Sequence, residues 1–280
     1  MGLISLLISL AAEKKLSSQI WQFNFAFSRY INFVNQRDFH NKVKGTLYPL
    51  LLLLLPVALT VLLLDLIQDS ILDLIVSTCL LIICFGCVKT RDTYKCYLNS
   101  AFKGELTTCD LHYQKLLTDK NLPDYGFGQT LIWLNYRYYI AVMLYFVVFG
   151  AAGAVFYRLL CSLDEQQRKI YQQEPESHAL TPVYKKILFW ADWLPVRIAT
   201  FGFTIVGHFS KAFPVWLENV FEFNKPPQCV LIGVAQKAED IMVDEDDCTA
   251  EPCLLVRLAK RNVMLFFSVV AILILTEVIS

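Results

Sequence analysis

Six polar side chains stand among residues apolar enough to enter a bilayer. Asn135 and Arg137 lie in LIWLNYRYY (131–139), Asp192 and Arg197 begin and end DWLPVR, and His208 and Lys211 follow in GHFSK. Arginine, lysine and histidine can grip an anion, asparagine can donate and accept, and a carboxylate can balance a neighbouring cation. Polar groups in hydrocarbon are costly, so these stretches either stay out of the membrane or use their charges. The set contains no recognisable nucleophile paired with a base. Its chemistry is that of ligand binding, and no catalytic residue is assigned.

Elements must position these groups. Pro195 disfavours helix at Leu194 and suits the first turn of a new one. The pattern therefore predicts a helix from Pro182 to about Trp193, capped by Thr181, then a break and a second helix. On that second helix Arg197, Thr200, Thr204, His208 and Lys211 share one side and form a polar stripe. Asp192, just before it, would receive the orphan N–H groups of its first turn. Two readings stay open for the stripe: a satisfied interhelical seam with a snorkelling or paired Arg197, or the lining of a cavity for a ligand. Around Asn135 and Arg137, Trp133, Tyr136, Tyr138 and Tyr139 read as an aromatic belt with an interfacial arginine. The alternative pairs Arg137 with an anionic ligand or with Asp192.

Other motifs are weak. Cys84-Phe85-Gly86-Cys87 has CxxC spacing but lies in an apolar run without the context of a redox site. The histidines at 40, 112, 178 and 208 lack metal-ligand spacing, and no metal or cofactor is assigned. The acidic tract EDIMVDEDDCTAE (239–251) lacks the glycine turn of an EF-hand and reads as a solvated linker. Gly126 and Gly128 in DYGFGQ are too few for a phosphate loop, and no GxSxG, Walker A or HExxH pattern occurs.

Composition sets the frame. The chain has 280 residues, 56% hydrophobic and 18% charged, with mean hydropathy +0.46 and zero formal net charge. This is the profile of an integral membrane protein, with no electrostatic case for a nucleic-acid partner. The expected fold is all-α and polytopic, with four spans plus one further membrane-embedded helix pair. The spans are placed at Leu47–Ile67, with Pro56 as a tolerated kink, Ile71–Val88, Tyr138–Leu160 and Val263–Ile279. Along the chain this gives an N-terminal amphipathic segment (1–46), a transmembrane hairpin (47–88), a cytoplasmic helical region (89–132), the segment with the DWLPVR pair and linker (133–262), and a terminal span (263–280). Residues 2–10 are too short an apolar run to cross; Leu3, Leu6, Leu7 and Leu10 fall at helical spacing, as in a helix lying on the membrane.

Basic residues orient the spans. Lysines and arginines precede the first and follow the second, while Asp65, Asp69 and Asp73 mark the turn between them. The N-terminal segment and residues 89–137 are therefore expected inside. From there two topologies remain. Either Tyr138–Leu160 crosses fully and Leu188–Phe209 crosses back, or Tyr138–Leu160 re-enters with Gly150 and Gly153 at its turn.

In its blocks LIWLNYRYYIA, DWLPVR and IVGHFSKAFPVW, with Trp21-Gln22 after Glu13, the sequence resembles the AmpE family, bacterial inner-membrane proteins similar to the CobD/CbiB-like superfamily. The resemblance implies a multi-pass signalling modulator without established catalysis, linked to peptidoglycan recycling and β-lactamase induction. It implies the lipid bilayer as partner, together with an anionic muropeptide-type ligand or a protein of the recycling pathway. The CbiB-like relatives form an amide with ATP. A degenerate ligase of that kind is the alternative, although Leu134 and Tyr138 stand where those relatives carry acids. Val142 also departs from the proline of the AmpE pattern.

Overall fold

The structure, a computed structural model, describes residues 2–15, 21–36, 47–67, 69–173, 183–239 and 249–276. Among these every regular element is helical, and the chain is an all-α polytopic membrane protein. By length and composition three helical stretches can cross a bilayer: Tyr48–Leu66, Phe127–Ile170 and Ala250–Leu275. Helices Ser70–Cys84 and Val88–Phe102, bent by 43° at their junction, make up to four. The expected Thr181 cap and most of the acidic linker lie outside the described residues. The chain divides into two interleaved compact units: Met1–Gly86, Val142–Trp190 and Leu273–Ser280, then Cys87–Ala141 and Ala191–Ile272.

In the first unit, α1 (Gly2–Lys15) packs on α4 (Ser70–Cys84). Its inward face is Ser5, Leu6, Ser9 and Glu13, while Ile4, Leu7 and Ile8 are exposed. Of the Leu3, Leu6, Leu7 and Leu10 set, Leu6 packs inward while Leu7 faces out. In lipid there is little gain from hiding leucine, and small residues let helices approach closely. Helix α2 (Phe23–Gln36) docks on α3 (Leu47–Leu66), its Tyr30 hydroxyl donating to the Leu52 carbonyl at 2.9 Å. Pro56 sits inside α3 without ending it, and Leu51, Leu54, Leu55, Leu59 and Leu62 stay exposed, as on a lipid-facing helix. The second expected span ends early: α4 stops at Cys84, and α5 (Val88–Phe102) begins beyond a non-helical Phe85–Cys87.

The third expected span is not one rod. Helix α8 (Ala141–Gln173) contains Gly150 at φ 67° and ψ −161°. The rings of Tyr145 and Tyr157 stack with centroids 4.9 Å apart. Twelve residues along a straight helix would separate them by about 18 Å, so the chain doubles back at Gly150. At Gly153 an added Cβ would stand 2.5 Å from the Tyr145 carbonyl oxygen, so only glycine lets the two arms close. Gly150→Ala is expected to cost about 1–3 kcal/mol, the penalty of a backbone region essentially reserved for glycine, read as a lowered Tm in detergent. An unchanged Tm would mean that the reversal relaxes without cost.

In the second unit, α5, α6 (Leu106–Lys120) and α7 (Phe127–Asn135) share an aromatic core. The Phe127 ring stacks 3.8 Å from Tyr97 and meets Tyr113 edge-on at 5.7 Å. Helices α9 (Val183–Val206), α10 (Phe209–Val220), α11 (Pro227–Ala238) and α12 (Ala250–Leu275) follow. Pro195 lies inside α9, so the predicted break before it does not occur. The helix ends instead at Val206. An interior proline costs about 3 kcal/mol, which tertiary bonding on both sides of Pro195 offsets. The last helix starts at Ala250, well before the expected Val263, because its first turns are polar yet half-buried in this unit.

Candidate functional site

All six sequence-nominated residues fall within the second unit, but the structure does not gather them at one point. A π-helical turn, Tyr136–Ile140, joins α7 to α8. Such turns carry one extra residue per turn and recur at functional sites. This one places Tyr136, Arg137 and Tyr138 in the interior, at 0%, 5% and 1% exposure.

Consecutive residues of this turn hold Asp192, itself 2% exposed. The Tyr136 hydroxyl donates to Oδ1 at 2.9 Å, and Arg137 Nη2 stands 4.0 Å from Oδ2. The second distance is ion-pair contact rather than a hydrogen bond. Trp133, one turn back, stacks on Tyr136 at 5.3 Å, and the Arg137 guanidinium lies 4.9 Å from the Trp133 ring centre. Asp192 is therefore not a helix cap. With α9 unbroken through Pro195 it sits mid-helix, and its partners are side chains of another segment. Of the two readings of Arg137, pairing with Asp192 is what the structure contains. Two buried polar atoms here, Trp133 Nε1 and Asn135 Oδ1, have no hydrogen-bond partner among the described residues. Buried groups of this kind normally find one.

Arg197 serves a different end. Nη1 donates to the Trp193 carbonyl at 3.0 Å, Nε to that of Val220 at 3.4 Å, and Nη2 to that of Glu222. Its plane lies 4.5 Å from the Trp193 ring centre, and Trp193 stacks on Phe223 at 4.8 Å and 5°. The Trp216 indole in turn donates to the Arg197 carbonyl at 3.0 Å. The guanidinium thus closes the C-terminal end of α10, where carbonyls lack intrahelical partners and a cation suits the dipole. In this geometry the guanidinium is engaged by backbone carbonyls, which is a scaffold role.

The predicted stripe is half right. Thr200 and Thr204 are fully buried, with hydroxyls donating to the Val196 carbonyl at 2.8 Å and the Phe201 carbonyl at 2.7 Å. Asn262 of α12 donates to the Ala199 carbonyl at 3.0 Å on the same helix. Beyond Val206 the geometry changes: His208 and Lys211 are exposed and belong to the start of α10. The break falls at Gly207, where an added Cβ would meet the Ala238 carbonyl oxygen at 2.3 Å. The His208 backbone N–H donates to that same oxygen at 2.7 Å. A stripe drawn through 197–211 assumed one continuous helix, and this close approach of α11 ends it.

Sequence reasoning passed over Tyr136 and Trp133, which looked like belt residues. It also passed over buried Lys120, whose ammonium bonds the Tyr138 hydroxyl. The one available signal was the adjacency of Tyr136 to Arg137. In the first unit it gave no role to Glu13, Arg158 and Asp164, all buried, with Arg158 5.1 Å from the Phe23 ring centre and Asp164 paired to Arg168 at 2.6 Å. Among the described residues no three of His, Cys, Asp and Glu gather to hold a metal ion, and no disulfide joins Cys84 and Cys87.

Comparison with known proteins adds a family to this geometry. The family model described as regulatory signalling modulator protein AmpE matches residues 1–279. A curated relative, Protein AmpE of Shigella flexneri, is 28% identical over 204 residues, covering 69% of this chain and 70% of the relative. No solved structure matches.

Proposed function

We propose, from the premise that the chain belongs to the AmpE family of regulatory signalling modulators, that it works in the bacterial inner membrane as a sensor linking peptidoglycan recycling to β-lactamase induction. The observation that carries this reading is the family match along the whole chain. The relative supplies a bacterial setting, and the apolar helices supply the bilayer as a partner. Neither comparison lends support to the CbiB-like ligase, and that alternative is set aside.

Within this reading the ligand site is the Arg137–Asp192 centre with Asn135. A muropeptide-type ligand carries carboxylates and amides, which suit an arginine, an asparagine oxygen and an indole N–H. Arg197 is assigned to the scaffold, and His208 and Lys211 are left to the surface.

Deleting the gene and restoring it on a plasmid tests the proposal. Deletion is expected to change β-lactamase induction and muropeptide pools, and the restored wild-type gene to reverse both changes. Induction and pools that stay the same in the deletion strain would refute it.

A further inference from the structure

We propose that the doubled-back first half of α8 is a re-entrant hairpin: it enters one leaflet of the bilayer, turns at Gly150 among lipid acyl chains and leaves by the face it entered. The inference rests on bilayer association alone and is independent of the signalling reading.

Residues 138–157, between Arg137 and Arg158, carry no charge. As a straight helix this stretch would be about 30 Å long, enough to cross the hydrocarbon core. It is not straight. Tyr145 stacks on Tyr157 at 4.9 Å and lies 6.1 Å from Phe156 across the turn. Each arm between its arginine and Gly150 is then at most about 18 Å, roughly half of the ~30 Å core. Neither arm can cross, so the two arginines must return to one side. There their head groups avoid the cost of the bilayer interior.

The surface of the hairpin supports the same occupant. Val148 and Phe149 at its tip are 68% and 65% exposed, whereas Val142, Met143, Phe146, Ala154 and Tyr157 are buried. Beside it in the same unit stands α1, where an added Cβ on Gly2 would lie 3.6 Å from the Phe146 ring. The outward Ile4, Leu7 and Ile8 of α1 continue the apolar surface. Exposed leucines of α3 in this unit present the same chemistry to lipid.

A second observation comes from the other unit. Segments 87–141 and 191–272, which precede and follow the hairpin, fold together into one compact body. The Tyr136–Asp192 and Gln129–Glu251 hydrogen bonds join them. A re-entrant connection leaves Tyr136 and Asp192 on one face without a further crossing. With Lys89, Arg91, Lys95 and Lys103 ahead of it, that face is cytoplasmic.

The test uses the full chain in membrane vesicles of both orientations and a membrane-impermeant maleimide, with labelled sites read by mass spectrometry. Exposed Cys96 reports residues before the hairpin, a Lys169→Cys variant reports residues after it, and Asp69→Cys reports the opposite face. Cys96 and Lys169→Cys are expected to label from the same side and Asp69→Cys from the other. Labelling of Lys169→Cys together with Asp69→Cys would mean a full crossing and overturn the proposal. Depth is read separately with Phe149→Trp in vesicles of chain-brominated phosphatidylcholine. At least a twofold loss of the added fluorescence is expected, and no quenching would place the tip in water or protein instead of lipid, overturning the proposal.

Discussion

Arg137→Ala is expected to destabilise the protein by about 3–5 kcal/mol, the cost of leaving one member of a buried ion pair alone. The remaining Asp192 is 2% exposed and keeps the Tyr136 hydroxyl but loses its counter-charge on this turn. Global stabilities of about 5–15 kcal/mol leave little room for such a loss. The melting temperature in detergent should therefore fall sharply. Asp192→Asn should behave similarly, because the amide oxygen can still accept from Tyr136 but cannot balance the guanidinium. The informative variant is the double replacement Arg137→Met with Asp192→Leu. Replacing a buried pair by apolar residues is often neutral for stability, so the double variant should melt near the wild type. If the centre binds a ligand as proposed, that stable double variant should still fail to restore signalling in the deletion strain. Restored signalling would make the pair structural only, and single variants within about 1 kcal/mol of wild type would show that the pair contributes little in either respect.

Arg197→Lys should cost on the order of 3 kcal/mol despite keeping the charge. Its guanidinium spreads three donors across the carbonyls of Trp193, Val220 and Glu222 while lying flat on the Trp193 ring. A lysine ammonium can neither span that fork nor stack in the same way. The loss should show as a lower Tm and as faster proteolysis after Val220, where α10 loses its cover. Trp216→Phe should cost about 1 kcal/mol, through the single indole bond to the Arg197 carbonyl. An anion-gripping Arg197 would give the opposite pattern, with a lysine variant of near-normal Tm and weakened ligand response.

How much of this was legible from residue order depends on the range of the force involved. Apolar run length is a local property, and it located the spans at Leu47–Leu66 and Ser70–Cys84 to within a few residues. Gly150 and Gly153 also announced a possible turn, since backbone freedom and small size are local too. Pro195 misled because its local penalty is outweighed by bonds to residues far along the chain. No pattern in DWLPVR says that Val220 and Glu222 will supply carbonyls to Arg197. Asp192 failed as a cap for the same reason: its partner Tyr136 comes from a different segment. In α1 the packed face mixes Leu6 with Ser5, Ser9 and Glu13, a mixture that leucine spacing alone does not mark.

The π-turn that holds Asp192 has a consequence in time. Tyr136 and its partner are 56 residues apart. At ribosomal speeds of about 5–20 residues per second, roughly 3–11 s pass between the synthesis of one and the other. Residues 138–157 are made within that delay, so the hairpin is synthesised before Asp192 exists to bond Tyr136.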